Sequence, residues 1–113
     1  MLELVTAIIK PHKLDDVKEA LLAIGVEGLT VTEVRGFGRQ RGKTENFRGS
    51  EYHIDFIPKV KIEVVVASEN ADAIVTAIAD AARTEKIGDG KIWTMSVEKL
   101  LRVRTGEAGT DAI

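Results

Sequence analysis

The chain has 113 residues, of which 44% are hydrophobic and 30% charged, with a formal net charge of −2 and no cysteine. This length and composition are typical of one globular domain spanning residues 1–113, and they exclude a disulfide framework and a thiolate zinc site. No apolar run reaches the ~20 residues that a membrane span needs, and the first residues lack a signal-peptide pattern, so we expect a cytoplasmic protein.

The first part of the chain predicts a strand, a helix and a second strand. Leu2 to Ile9 is apolar and β-prone, and Pro11 suits the first turn of the helix that follows. One face of this helix is expected to be buried, namely Leu14, Val17, Leu21 and Ile24. Gly25 is expected to end the helix, and Leu29 to Arg35 follows as the second strand.

The second part repeats this order after a long intervening segment. Val60 to Ala67 predicts a third strand, and Ser68 or Asn70 can cap the next helix. The apolar face of that helix consists of Ala71, Ile74, Val75, Ile78 and Ala82. A glycine-rich turn at 84–91 leads into a fourth strand, Ile92 to Val97.

The C-terminal part has a weaker pattern. Leu101 to Val103 predicts a short fifth strand, and residues 106–113 are expected to form a frayed tail. The whole order predicts an α+β, ferredoxin-like βαββαβ fold, with both helices on one face of an antiparallel sheet and a long loop between strands 2 and 3.

The third strand is apolar on both faces. Val64 and Val66 can face the helices, but Val65 then points to the opposite side of the sheet. The sequence has no third helix to cover that side. We therefore predict a homo-oligomer that associates through the sheet.

Residues 37–56 are predicted to form a flexible regulatory loop. A loop of this length is unusual in a compact domain and is usually functional or mobile. Cations cluster in and beside it, namely Arg35, Arg39, Arg41, Lys43 and Arg48. They indicate an anion site, although a solvated surface gives the same pattern.

The glycine-rich start of this loop does not fit a Walker A phosphate loop. Such a loop needs a glycine five residues before Gly42, where this chain has Phe37, and it needs an apolar helix after Thr44. The Rossmann fingerprint fails as well. A phosphoryl-transfer enzyme or ATPase that uses the glycine loops remains as an alternative function.

A second candidate phosphate site lies at Gly88-Asp89-Gly90-Lys91. Its glycines let a backbone approach a phosphate and Lys91 supplies charge, although Asp-Gly is also a routine turn signal. The alternation of Arg102, Val103 and Arg104 would place two guanidiniums on one face of a strand, which suits a polyphosphate.

The residues needed for catalysis are missing from the pattern. His12 and His53 lack the spacing of metal ligands, and no nucleophile–base pair is apparent. We therefore predict a protein that is not an enzyme. With Trp93 as the one aromatic residue in the predicted strands, nucleic-acid binding is not expected either.

Together these segments resemble the PII family of nitrogen-regulatory signal-transduction proteins over nearly the whole chain. The matching motifs lie at 8–11, 14–17, 30–34, 36–40, 48–52, 56–60, 86–91 and 102–107. The resemblance implies a homotrimer of ferredoxin-like subunits whose sheets line a central barrel. It also implies that ATP or ADP binds competitively between subunits.

The resemblance further implies roles for individual residues. The implied nucleotide-site residues are Thr30, Gly36, Arg39, Val65, Gly88, Asp89, Gly90, Lys91, Arg102, Val103 and Arg104. With ATP and Mg²⁺, 2-oxoglutarate would bind at the base of the loop, where Gln40 would ligate the metal and Lys59 would pair with a carboxylate of the acid. The backbones of Gly38 and Gly88 would contribute.

The implied partners are reached through the loop. Arg48 would plug the cytoplasmic exit of an ammonium transporter, which would be the one link to a membrane. A nucleotidylyltransferase would modify Tyr52, and Ser50 matches a position phosphorylated in some branches. Further implied partners are glutamine synthetase adenylyltransferase or other nitrogen-regulatory enzymes and kinases. Asn46-Phe47 departs from the commoner loop sequence, which leaves partner preference open.

Overall fold

The structure, a computed structural model, describes residues 1–38, 44–47, 50–53 and 56–113, with side chains for 1–38 and 56–113. The elements are β1 (Leu2–Ile9), α1 (Leu14–Ala23), β2 (Thr30–Gly36), β3 (Thr44–Phe47), β4 (Ser50–His53), β5 (Ile57–Ala67), α2 (Ser68–Ala82) and β6 (Lys91–Val97). The main sheet has the order β2-β5-β1-β6, with every neighbouring pair antiparallel. This arrangement confirms the predicted ferredoxin-like α+β fold.

The core lies between the two helices and one face of the sheet. Alternate residues of the two central strands point into it, so that Val5 and Ala7 of β1 lie opposite Val64 and Ile62 of β5. The helices contribute Val17, Leu21, Ala71, Ile74, Ile78 and Ala82. The predicted face of α2 is confirmed, with Val75 partly buried at its edge.

The end of α1 is set by Gly25. Its φ of 91° lies in the left-handed region, where glycine is favoured. The Val26 amide donates to the Leu21 carbonyl at 3.0 Å and the Gly25 amide to the Leu22 carbonyl at 3.1 Å, which is a Schellman motif. The chain turns away before Ile24 can join the core, so Ile24 is 50% exposed and its predicted burial is wrong.

The start of α2 also differs from the prediction. Ala67 occupies the N-cap position and no side chain makes a capping hydrogen bond, so neither Ser68 nor Asn70 is the cap. The Ser68 amide instead donates to the Met1 carbonyl at 3.0 Å. The first orphan amide of the helix is therefore satisfied by the start of β1 rather than by a side chain.

The face of the sheet opposite the helices is apolar in its centre. Leu4 of β1 lies opposite Val65 of β5 on one side and Met95 of β6 on the other. Met95 is 59% exposed and Trp93, on the same face, is 43% exposed. The strand pattern that is apolar on both sides is therefore confirmed, and no helix of the described part covers this second face.

The structure adds one feature to the predicted elements and corrects two others. The segment 37–56 contains a two-stranded antiparallel ribbon, because β3 pairs with β4. The predicted fifth strand is reduced to one isolated bridge between Leu101 and Ala108. Part of the predicted frayed tail forms a 3₁₀ helix at Gly109–Ala112.

The helices are also short. Among residues 1–38, 44–47, 50–53 and 56–113, no helix is long and apolar enough to cross a membrane.

Candidate functional site

The glycine-rich turn between α2 and β6 is held by the carboxylate of Asp89. One carboxylate oxygen accepts hydrogen bonds from the backbone amides of Thr84 (2.7 Å) and Glu85 (2.9 Å), and the other accepts from the Thr84 hydroxyl. The Lys10 ammonium lies 3.3 Å from the same carboxylate. The hydrogen bonds from Thr84, its hydroxyl above all, hold the pKa of Asp89 far below its usual range.

The same turn packs directly against the end of β1. Gly90 has a φ of 98°, and a Cβ built at this position would lie 1.7 Å from the carbonyl oxygen of Ile8. No side chain fits there, and the left-handed backbone would be strained for any other residue. The turn therefore lies as close to β1 as a glycine backbone allows.

Lys59 connects this turn to the base of the segment 37–56. Its ammonium donates a hydrogen bond to the Gly88 carbonyl, so the structure brings together two residues predicted to contact 2-oxoglutarate. Lys59 is buried, and this desolvation lowers its pKa; the nearby charge of Lys10 lowers it further, while Asp89 opposes the shift. A desolvated ammonium gains more from an anionic partner than one that water surrounds.

The first residues of the segment 37–56 lie beside Lys59. A Cβ on Gly36 would come 3.7 Å from Cγ of Lys59, an ordinary contact, so Gly36 lies against the lysine stem. Phe37 and Phe56 mark the two ends of the segment, and their ring centroids are 6.3 Å apart with a tilted arrangement. Gly38 is exposed, with nothing near a Cβ at its position.

Two residues predicted to bind the nucleotide lie on β2 and β5, at the ends of these strands opposite Gly36 and Lys59. Thr30 and Val65 both line a cavity of about 990 Å³. Thr110 and Ile113 of the C-terminal segment line this cavity as well. The cavity is thus bounded by β2, β5 and the end of the chain.

The predicted arginine pair does not lie on a strand. Residues 103–105 form a turn, because the Gly106 amide donates back to the Arg102 carbonyl at 2.8 Å. The Arg102 guanidinium donates to the Glu107 carboxylate at 3.0 Å and to the Ile113 carbonyl at 2.7 Å. Val103 and Arg104 are exposed in the turn, so the predicted alternation of two guanidiniums on one strand face is wrong.

Comparison with known proteins decides the family. The family model described as Nitrogen regulatory protein P-II matches residues 2–107. The Nitrogen regulatory protein P-II of Rhizobium meliloti (strain 1021) is 62% identical over 109 residues, covering 96% of this chain and 97% of that protein. The chain belongs to the P-II family of nitrogen regulatory proteins.

Other P-II proteins agree with this assignment. The P-II protein of Cereibacter sphaeroides is likewise 62% identical over 109 residues, covering 96% of this chain and 97% of that protein. A crystal structure of Arabidopsis thaliana PII bound to citrate superposes with a TM-score of 0.82 at 39% identity, covering 99% of this chain and 92% of that one. The two bacterial relatives are named as regulatory proteins, which is consistent with the prediction of a protein that is not an enzyme.

Several predicted site residues of this P-II chain lie outside the described residues. Arg39, Gln40 and Arg48 are among them. The backbones of Ser50 and Tyr52 lie in β4, but their side chains are outside the described part. Within the described ranges, no group of three or more His, Cys, Asp or Glu side chains could hold a metal ion.

The structure adds two residues that the sequence interpretation missed. The Lys10 ammonium donates to the Thr84 hydroxyl at 3.1 Å, and both contact Asp89. Lys10 and Thr84 are separated by 74 positions, so no local pattern joins them. The one available signal was that polar residues stand at Lys10, directly after β1, and at Thr84, two residues after α2.

Proposed function

We propose that this P-II protein is a cytoplasmic, non-enzymatic sensor that binds ATP or ADP and 2-oxoglutarate between the subunits of a homotrimer. Through the segment 37–56 it would regulate ammonium transport and the control of glutamine synthetase. The observation that carries the proposal is the buried Lys59 ammonium, which faces the Gly88 carbonyl beside the base of that segment.

The position of Lys59 suits the carboxylate of a small acid. A carboxylate forms a charge-assisted hydrogen bond with an ammonium, which is stronger than the bond to a neutral carbonyl. Its negative charge would also offset the repulsion between Lys59 and Lys10. The Arabidopsis relative is described as bound to citrate, itself a small polycarboxylate, and this supports a carboxylate ligand for the present chain.

The nucleotide would lie between the cavity and the glycine-rich turn. Thr30, Gly36 and Val65 would line its base and sugar side, and residues 88–91 would hold its phosphates. Gly88 and Gly90 have φ values of 97° and 98°, which glycine adopts without strain. Lys91, exposed at the start of β6, supplies a cation. Arg39, Arg102, Val103 and Arg104 would complete the site.

The apolar second face of the sheet supports the homotrimer. Leu4, Val65 and Met95 form a continuous row across three strands, and burying such a row against other subunits is favourable by roughly 25 cal/mol per Å². A closed trimer would also bring the turn at 103–105 of one subunit towards the cavity of its neighbour.

Magnesium enters the proposal through Gln40. Mg²⁺ prefers oxygen ligands and is bound together with substrate phosphates rather than by an all-protein cage, which agrees with a site that has one amide ligand. When bound beside Gln40, the ion would offset the negative charges of the nucleotide phosphates and of the 2-oxo acid. Linkage then requires each of the two ligands to tighten the binding of the other.

The segment 37–56 would transmit the effect of ligand binding to partner proteins. Ligands that fix Gly36, Phe37 and Lys59 at its two ends would change which conformations the remainder can adopt, and partners would be released or bound accordingly. Arg48 would contact an ammonium transporter, Tyr52 would accept a nucleotidyl group and Ser50 is a candidate for phosphorylation. Glutamine synthetase adenylyltransferase or other nitrogen-regulatory enzymes and kinases are the further proposed partners.

Isothermal titration calorimetry tests the proposal directly. The protein is titrated with 2-oxoglutarate in the presence of ATP with Mg²⁺, of ADP with Mg²⁺, and of ATP with EDTA. We expect binding in the first condition and none in the other two. Equal binding in all three, or none in any, would reject the proposed function.

A further inference from the structure

Three polar side chains from distant parts of the chain meet beneath the glycine-rich turn. Lys10 follows β1, Thr84 follows α2, and Asp89 lies within the turn. The Lys10 ammonium donates to the Thr84 hydroxyl at 3.1 Å and lies 3.3 Å from the Asp89 carboxylate, which in turn accepts from the Thr84 hydroxyl. Each of the three therefore contacts the other two.

This cluster satisfies the backbone of the turn as well. Asp89 accepts from the amides of Thr84 and Glu85, and the Thr84 hydroxyl accepts from the amide of Lys86 at 3.2 Å. The backbone amides of three consecutive residues are thus hydrogen-bonded to one carboxylate and one hydroxyl. The ties also hold Glu85 at a φ of 65°, a conformation that residues other than glycine rarely adopt.

Lys10 has a second effect, which is electrostatic. The turn is proposed to hold phosphates, yet it carries a carboxylate at its centre, and an uncompensated carboxylate would repel them. The Lys10 side chain is 13% exposed and that of Asp89 25%, so the pair is only partly screened by water. Lys10 therefore offsets the negative charge that fixes the shape of the turn.

We infer that Lys10, Thr84 and Asp89 are the positioning residues of the phosphate-binding turn: they fix the orientation of Gly88, Gly90 and Lys91 and keep the turn attractive to anions. This inference rests on the proposed function, since it concerns the same nucleotide site. It assigns to Asp89 an indirect role, because its carboxylate is directed onto Thr84, Glu85 and Lys10.

Two variants test the inference, each by removing one polar group of the cluster. Thr84→Val keeps the side-chain shape and removes the hydroxyl, and Lys10→Met keeps the length and removes the charge. ATP and ADP affinities are measured by calorimetry, and thermal unfolding shows that each variant is folded. We expect both nucleotides to bind about tenfold more weakly or worse, as for the loss of one charge-assisted hydrogen bond.

A conservative rescue variant and two matched controls separate the loss of a positioning contact from a general loss of structure. Thr84→Ser restores the hydroxyl and should return the ATP affinity to within about threefold of the unsubstituted protein. Thr76→Val, on the exposed side of α2, and Lys13→Met, which removes a partly exposed ion pair with Asp16 at 3.6 Å, should each change the ATP affinity by less than about twofold.

The possible outcomes distinguish the inference from the proposed function. If the unsubstituted protein binds ATP and both Thr84→Val and Lys10→Met bind it within about twofold, the inference is overturned and the proposed function stands. If Thr84→Val does not fold, Lys10→Met decides between the same two results. If the unsubstituted protein does not bind ATP at all, the proposed function fails and the inference fails with it.

Discussion

The ammonium of Lys59 and the carbonyl oxygen of Gly88 are joined by a hydrogen bond that spans 29 positions of the sequence. It connects β5, at the base of the segment 37–56, to the turn that is proposed to hold phosphates. The same ammonium is the group proposed to pair with a carboxylate of 2-oxoglutarate. Ligand binding would therefore change a contact that already links the two parts of the site.

Replacing Lys59 tests this link. We expect Lys59→Met to weaken 2-oxoglutarate binding in the presence of MgATP by about 10- to 150-fold, because a hydrogen bond to a charged group contributes about 1.5–3 kcal/mol. Calorimetry of the variant with MgATP already bound measures the effect.

Lys61 provides the matched control for Lys59. It lies two residues further along β5, on the same face of the sheet, and its ammonium is 3.8 Å from the Glu63 carboxylate in a partly exposed ion pair. Lys61→Met should therefore leave the affinity for the acid nearly unchanged. Equal losses in the two variants would mean that overall charge, rather than the position of Lys59, determines binding.

The lowered pKa of Lys59 predicts an alkaline effect on stability. Because burial and the charge of Lys10 lower this pKa below 10.5 in the folded protein, the unfolded chain binds more protons at pH values just below 10.5. The contribution of Lys59 to the free energy of unfolding should therefore rise with pH up to about 10.5. Urea unfolding of the protein and of Lys59→Met between about pH 8 and 10.5 measures the difference, which would stay constant if Lys59 titrated normally.

Gly90 is predicted to be intolerant of a side chain. Its Cβ would meet the Ile8 carbonyl oxygen at 1.7 Å in a left-handed backbone, so the turn must move. We expect Gly90→Ala to lower the free energy of unfolding by about 3 kcal/mol or more and to remove nucleotide binding. Urea unfolding and calorimetry measure the two effects.

Variants at two other glycines are controls that separate the effect of the steric clash from the effect of backbone strain. Gly25 has a φ of 91° with open space around it, so Gly25→Ala should cost only the strain, about 1–2 kcal/mol. Gly28 has neither a positive φ nor a close neighbour, and Gly28→Ala should be neutral or stabilising by up to about 1 kcal/mol. A loss at Gly90 no larger than that at Gly25 would contradict the predicted clash.

The fold could be predicted from the sequence wherever burial sets the pattern. The apolar run of β5 predicts a strand with apolar side chains on both faces, and the spacing of Ile74 and Ile78 in α2 predicts a helix with one buried face. The structure confirms both predictions. Ile24 continued the helical pattern of α1 but is exposed, because Gly25 ends the helix there. Hydrophobic periodicity therefore predicts which side chains of a helix are buried, but it does not predict the residue at which the helix ends.

The errors near the site have different causes. The alternation of Arg102 and Arg104 predicts a strand, whereas Gly106, with a φ of 75°, allows the chain to turn. The ribbon of β3 and β4 was missed although only Arg48 and Gly49 separate its strands, a spacing typical of hairpins. No local sequence pattern joins the members of the cluster around Asp89, since they meet only in the folded chain.

Arg102 is predicted both to stabilise the C-terminal tail and to bind the nucleotide. Because its guanidinium donates to the Glu107 carboxylate and the Ile113 carbonyl, Arg102→Met should increase amide hydrogen exchange at Gly109 and Ile113 as well as weaken ATP binding. Exchange measured by NMR and calorimetry check the two parts. Arg104→Met is the matched control: it should weaken ATP binding without affecting exchange in the tail, and faster tail exchange in this variant would contradict the assignment.

Asp89 is predicted to make the protein sensitive to acid. Hydrogen bonds from Thr84 lower the pKa of its carboxyl in the folded state, so folding favours the ionised form, and this contribution is fully present only above the unfolded pKa near 3.8. The stability advantage of the protein over Asp89→Asn should therefore be constant at neutral pH and decrease as the pH falls below about 4. Thr84→Val, which removes the hydroxyl that contributes most to the shift, should reduce the acid sensitivity of the turn in the same range. Urea unfolding between about pH 7 and 3 measures all three proteins, and an advantage that grows towards low pH would show that the carboxyl is held in its protonated form instead.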